Sequence, residues 1–367
     1  MMLPRGKGFM IWMISRCENG DAGAIATAAR QAGLTHIQIK IANGINPYNY
    51  DAKNKIDLVP PVANALKAKG IQVWGWHYVY GDDPVKEAQI AVQRVKQLNL
   101  DGYIIDAEVE YKKVGKEAAA KKFMAELHNG IPNIPIALCS YRFPKLHPEL
   151  PWKAFMEKCD VNMPQVYWEK QHNPGVQLKE CVNQFNAMTP ILPIIPVGAC
   201  YKPGTWFPTP ADATEFLKTA RTLNLEAVSF YEWYYGRNIL RPTWDAISAF
   251  NYGNPPPPKE LPEQYIDALN AHDPNKIASL YDNNAIHVSA DSTIQGPDAI
   301  RVWYTNFLNK TLPKGVFSLI SSTGTGSSRQ FTWNASSSAG KVKDGNDTFG
   351  IQNGKIAYHS CFFTVTH

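Results

Sequence analysis

Three acidic residues at alternate positions close a short apolar run: Asp106, Glu108 and Glu110 in "DGYIIDAEVEYK", residues 101 to 112. If the strand continues through them, residues two apart share a face at about 7 Å, and the carboxylates crowd one side. Like charges at that spacing raise the proton affinity of at least one member, which is how a protein makes a general acid near neutral pH. Glu232, in "SFYEWYY", also ends an apolar run. At roughly 5 to 9 Å from Glu108 it would supply a second carboxylate for ordinary acid–base hydrolysis. The competing reading makes Asp106 and Glu108 structural carboxylates neutralised by Lys40, His77 or Arg142, each of which also ends an apolar run. Glu110 is expected to be solvated or paired with a lysine.

Aromatic residues gather at the same kind of position: Trp12, Trp76, Tyr78, Tyr141, Tyr167, Trp168, Tyr201, Trp206, Tyr231 and Trp233. Sugar rings present flat C–H faces that stack on aromatic rings, so a mouth lined this way suits a glycan. Any single member is equally well explained as core filling. Gln165 and Tyr167 are two apart and share a face. There is no G-x-S-x-G, no H-E-x-x-H and no Cys/His cluster, so neither a nucleophile elbow, a metal nor a cofactor is expected.

The elements that must position these residues alternate strictly. Eight apolar strand-like runs, from "GFMIWMI" to "AVSFYEWYY", are separated by helical patterns before residue 251. Such alternation implies parallel strands with right-handed crossovers, and eight units in about 250 residues predict a (β/α)₈ barrel over residues 1–250. An open doubly wound sheet would carry a Gly-rich loop after its first strand, and "SRCENGDAG" has no G-x-G-x-x-G. The stretch "NYGNPPPPK", residues 251–259, reads as a stiff linker. Residues 260–367 change character, with helices first and Ser/Thr/Gly-rich strands afterwards, which predicts a smaller α+β domain. Its "QNGK" is a strong hairpin signal. Tyr281, Asp282, His287, Asp291 and His359 are its polar candidates for a pocket, with Asp282 in "YDNN" expected in a turn.

The bulk numbers describe an ordinary globular chain, with 44% hydrophobic and 19% charged residues. The first 259 residues carry 29 Lys and Arg against 23 Asp and Glu, and residues 260–367 carry eight against nine. No dense basic run occurs, which argues against nucleic acid, whereas a mildly basic first module suits an anionic polymer. The six cysteines show no C-x-x-C and read as free, buried thiols. "FMIWMIS" is too short for a signal-peptide core or a membrane span. No export signal is visible, which makes a cytoplasmic location the default.

At "DGYIIDAE" the sequence resembles two groups of glycoside hydrolase barrels: the D-G-x-D-x-D-x-E strand of family 18 chitinase-like enzymes and the D-x-E of family 25 lysozyme-like enzymes. Asp101, Gly102, Asp106 and Glu108 fall on matching positions, while Ile104 replaces the middle Asp of the longer pattern. The resemblance implies Glu108 as general acid and Asp106 as the carboxylate that orients a substrate N-acetyl group. It also implies a sugar contact for Tyr167 and a peptidoglycan- or chitin-like substrate. Lysozyme-like barrels carry an Asp near the end of the first strand, and "GFMIWMIS" has none; a barrel that binds carbohydrate without cleaving it is therefore the alternative. The tail segments "YIDALNAHDPNKIASLYDNNAIHV", "QGPDAIRVWYTNF" and "FGIQNGKIAYHSCFF" resemble SnoaL-like (NTF2-like) domains. That resemblance implies a cone with a pocket around Tyr281, His287 and His359. It leaves open an isomerase, a cyclase, a ligand-binding module or a dimerising one.

Overall fold

The structure is a computed structural model and describes residues 3–253, 259–324 and 326–366. The chain divides near residue 255 into two compact units. The four consecutive prolines expected as a linker lie outside the described residues.

The first unit is a closed barrel. Its strands are β1 (Gly6–Ile11), β2 (Leu34–Asn43), β3 (Gln72–Val79), β4 (Gly102–Ala107), β5 (Ile136–Tyr141), β6 (Val161–Val166), β7 (Val197–Ala199) and β8 (Ala227–Tyr231). They lie side by side in sequence order, and β1 pairs in parallel with both β2 and β8. The connecting helices are α1 (Ala22–Gln31), α2 (Val59–Ala68), α3 (Pro84–Gln97), α4 (Lys116–Gly130), α5 (Trp152–Met156), α6 (Pro174–Asn186) and α7 (Pro210–Thr222), followed by α8 (Trp233–Asn238) and α9 (Arg241–Ala249). Local chemistry starts them: Asp21, Asp83 and Thr209 accept backbone N–H groups of the first turns of α1, α3 and α7, and proline fills the opening turn of α3 and α7.

Strand period decides what each residue faces. Phe9, Ile37, Ile39, Val73, Tyr103 and Ile105 pack outward under the helices, whereas Met10, Trp74, Trp76, Ile104 and Met163 fill the barrel interior. Asp106, two residues after Ile104, therefore points inward. Deeper in the barrel, the Nε2 atoms of His36 and Gln38 reach Ser229 Oγ at 3.0 and 2.6 Å. Two strand glycines make room for large neighbours: a Cβ on Gly8 would lie 2.2 Å from the His36 ring, and one on Gly102 2.2 Å from the Trp74 indole.

Lys7 reaches outward from β1, and its buried Nζ donates to the carbonyls of Ile247 and Ser248 at 2.7 and 2.9 Å, tying the first strand to the end of α9. Burial lowers its pKa to about 8. The folded chain thus binds this proton less tightly than the unfolded chain, which holds more protons between about pH 8 and 10.5 and loses stability relative to the native state as pH rises through that window. Burial of the six thiols acts in the opposite direction, so the effect is read as a difference. The stability of the wild type minus that of Lys7→Met is expected to rise by up to about 1.4 kcal/mol per pH unit from pH 8 to 10. Urea melts of both proteins across that range check it; a flat difference would mean that Lys7 titrates normally.

The second unit has α10 (Leu261–Asn270), α11 (Pro274–Ala278) and α12 (Pro297–Asn306) over a six-stranded sheet. The strands are β9 (Tyr281–Val288), β10 (Thr293–Gln295), β11 (Val316–Thr323), β12 (Ser328–Ser337), β13 (Gly340–Gln352) and β14 (Lys355–Phe362), in the order β10-β9-β14-β13-β12-β11. All neighbours are antiparallel except β9 and β14, which run parallel. Asn353 and Gly354 both have φ > 0 and form the tight turn between β13 and β14 that the "NG" signal predicts. All six cysteines are buried and unpaired. Among the described residues no helix is long and apolar enough to cross a membrane.

Candidate functional site

A cavity of about 360 Å³ opens at the C-terminal ends of the barrel strands, the rim where this architecture presents its functional groups. β4 ends at Ala107, so the alternation expected through Glu110 does not continue. Glu108 follows the strand, and Glu110 lies in a 3₁₀ turn over Val109–Lys112. All three acids nevertheless line the cavity. The turn carries Glu110 away from the pair, and its Oε2 accepts a hydrogen bond from Tyr78 Oη at 2.8 Å rather than from a lysine.

The inner pair is joined by one amide. Gln165 Nε2 donates to Asp106 Oδ1 at 3.1 Å and to Glu108 Oε1 at 2.8 Å. Asp106 is buried, and its pKa is pushed well above the usual carboxylate range, first by burial and then by the charge of Glu108, against a smaller opposing pull from Lys40. Its carboxyl also lies within hydrogen-bonding reach of Glu108. Burial thus favours the protonated form of Asp106 at the inner end of the cavity.

Lys40 lies beside them in an aromatic box, with Nζ 4.5 Å from the ring centre of Tyr48, 4.7 Å from Trp76 and 5.8 Å from Tyr78. Burial lowers its pKa to about 8, while the charges of Asp106 and Glu108 act to raise it. The box needs the loop after β2 to fold back, and Asn49 holds it there. Asn49 accepts from the Ile14 amide at 2.8 Å and donates to the carbonyls of Trp12 and Lys40 at 3.0 and 2.8 Å. No spacing in the sequence announces Tyr48 or Asn49, because their position depends on that fold-back.

Of the aromatics singled out, Trp12, Trp76, Tyr78, Tyr167 and Tyr231 line the cavity, as does Gln165. The others do not. Tyr141 stacks on His147 with ring centres 3.8 Å apart, and Tyr201 packs edge-on against Tyr167 while its hydroxyl donates to Glu169. Trp233 points the other way altogether: fully buried, it packs on Phe9 and Trp244 and donates to Glu18 Oε2 at 2.6 Å. Glu232 is likewise turned from the mouth. Its carboxylate accepts the amides of Tyr234 and Tyr235 at 3.3 and 3.1 Å as the N-cap of α8. Glu232→Ala is expected to cost about 1 kcal/mol of stability and to leave kcat of any barrel activity within about threefold, which thermal melts and turnover assays would check. His77 is spent structurally, between Tyr103 Oη at 2.8 Å and the Gly44 carbonyl at 2.7 Å.

In the second unit Tyr281, His287 and His359 are all buried and come together on the inner face of the sheet. Tyr281 Oη lies 2.6 Å from His359 Nδ1, and His359 Nε2 lies 2.9 Å from Asp347 Oδ2. Tyr304 Oη is 3.0 Å from the hydroxyls of both Tyr265 and Tyr281. Asp282 lies within β9 and not in a turn; it is partly exposed, in the stretch between Tyr281 and Ile286 where the register with β14 shifts, and it accepts from the Asn284 amide at 3.1 Å.

The profile of the SnoaL-like domain family matches residues 263–359. No curated protein matches the chain. Solved structures similar to it include an NTF2-like protein of unknown function from Cytophaga hutchinsonii, 11% identical over 28% of this chain and 84% of that one, TM-score 0.24. Another is an NTF-2 like protein of unknown function from Burkholderia xenovorans, 18% identical over 28% and 80%, TM-score 0.24. A third is a protein from Sphaerobacter thermophilus, 15% identical over 29% and 94%, TM-score 0.25. At these identities and scores they say nothing about activity. The molecule is thus a TIM-like parallel barrel followed by an NTF2-like α+β domain, the latter SnoaL-like over residues 263–359.

Proposed function

We propose that the barrel hydrolyses a glycosidic bond in an N-acetylhexosamine-containing glycan, with Glu108 as general acid and Asp106 as the orienting carboxylate. The observation that carries this reading is the amide of Gln165 spanning both carboxylates at the floor of an aromatic-lined cavity. All three acids of that cavity come from one segment, and Glu232 is occupied as a helix cap. A nucleophilic or basic carboxylate across the sugar ring, as ordinary two-carboxylate hydrolysis needs, is then not supplied. Participation by the substrate's own acetamide fits instead.

In that mechanism the Asp106 proton passes to Glu108 as the acetamide N–H approaches, and the Asp106 carboxylate accepts that N–H. Glu108 protonates the leaving glycosidic oxygen as the C1–O bond breaks, while the acetamide oxygen bonds to C1. Water then attacks C1, Glu108 takes its proton, and the acetamide is released. Trp12 and Tyr231 offer stacking faces, and Tyr167 flanks the reacting ring. The test is release of reducing ends from chitin and peptidoglycan by the wild type and by Glu108→Gln. Release by the wild type alone supports the assignment. If neither protein releases anything while both bind polymer, the barrel is a carbohydrate-binding module, a reading favoured by the end of the first strand and the residue after it, which bring Met10 and Trp12 to the cavity and no acid.

A further inference from the structure

We propose that the second unit holds a transition-metal site formed by His287, His359 and Cys361, with Asp347 supporting it. The sheet register makes the cluster. His287 on β9 is the direct cross-strand partner of His359 on β14, Cys361 follows His359 by two residues and shares its face, and Asp347 on β13 is the partner of Cys361. One ligand atom from each of His287, His359 and Cys361 lies within 4.8 Å of the others, and all three residues are buried.

The hydrogen bonds around the cluster are those of a metal's supporting shell. A ligating histidine usually passes its second ring N–H to a carboxylate, which fixes the tautomer and leaves the other nitrogen free to bind. His359 Nε2 lies 2.9 Å from Asp347 Oδ2, and Asp347 Oδ1 is held by Trp333 Nε1 at 3.0 Å. That arrangement leaves the Nδ1 lone pair of His359 directed at the Tyr281 hydroxyl, a neutral group that a cation can displace. Among the described residues His287 Nδ1 is buried with no hydrogen-bond partner from another residue, and its Nε2 meets only Tyr304 Oη at 3.4 Å.

Charge points the same way. Asp347 is fully buried, and among the described residues its ion-pair partner is His359 alone. A buried carboxylate needs a compensating positive charge. A cation on the His359 ring would supply that charge, and the adjoining imidazole and thiol are ligands it would use. Two imidazoles and one thiolate suit zinc, cobalt or copper rather than magnesium or calcium, which prefer oxygen. Binding replaces the Cys361 S–H bond with an S–metal bond and releases that proton to solvent, so affinity rises with pH.

The test uses the full, untagged chain titrated with Co²⁺ and, in competition with a chromophoric chelator, with Zn²⁺. The expected result is one equivalent bound, a sulfur-to-cobalt charge-transfer band in the near ultraviolet, and net proton uptake by the buffer. Cys361→Ser is expected to abolish the band, His287→Gln to weaken binding at least 100-fold, and Asp347→Asn to weaken it about 10- to 100-fold. Circular dichroism and thermal melts check that each variant is folded, and the wild-type cobalt spectrum decides the matter should any variant fail to fold. A folded wild type that gives no charge-transfer band overturns the proposal, as does binding that survives both Cys361→Ser and His287→Gln unchanged.

Discussion

If the proposed hydrolase reading holds, replacing Glu108 by Gln is expected to lower kcat on an N-acetylhexosamine glycan by about 10²- to 10⁴-fold, the usual contribution of a positioned general acid, with little change in glycan affinity. The amide keeps the size and polarity of the side chain, so the cavity and its aromatic faces are preserved while the transferable proton is lost. Gln165 loses one of its two carboxylate acceptors as a charged group, but Asp106 still holds its other N–H. The result is checked by comparing initial rates of reducing-end release with binding of the same oligosaccharide measured calorimetrically. A variant that keeps wild-type turnover would remove Glu108 from the chemistry. A parallel loss of affinity and rate would instead mean that the carboxylate organises the cavity.

Gly102→Ala is expected to destabilise the barrel by about 3 kcal/mol, at the upper end of overpacking effects. Gly102 and Trp74 are cross-strand partners on β4 and β3, and the indole lies flat over the glycine. A Cβ would approach three ring atoms at 2.2, 2.3 and 2.4 Å. Trp74 is fully buried in the barrel interior, so the ring has no solvent space to swing into. Urea denaturation reads the loss. Trp74→Leu combined with Gly102→Ala should recover at least 1 kcal/mol relative to additivity, because the two sites are in contact. An alanine variant as stable as the wild type would mean that the ring shifts at little cost.

The architecture was legible because it depends on periods that local sequence carries. Eight alternating runs, each short and apolar and each followed by an amphipathic stretch with cap residues, allow few solutions other than a closed parallel barrel. The position of Asp106 was legible for the same reason: it keeps the inward phase of Ile104. The phase stops being informative where the strand stops. Glu110 and Glu232 both follow apolar runs, yet one enters a 3₁₀ turn and the other a helix cap, and their directions follow from backbone hydrogen bonds that no spacing displays. Trp233 illustrates the same limit. It comes two residues after the end of β8, where the helix start turns it outward into the layer under α9. Lys40 was visible as a strand-end cation, but its aromatic box was not, since Tyr48 reaches it only through the folded-back loop. In the second unit the choice between inward and outward for His359 needed the register of β9 against β14, and pairing between strands so far apart in sequence is invisible to a local pattern.

The tyrosine hydroxyls of the second unit form a chain from Tyr265 through Tyr304 and Tyr281 to His359 and Asp347, with every member buried. Protons in such a chain are shut off from bulk water, so they leave it only when that unit opens. They should therefore give separate, slowly exchanging downfield resonances in proton NMR, and their exchange rates would report the opening free energy of the second unit without interference from the larger barrel.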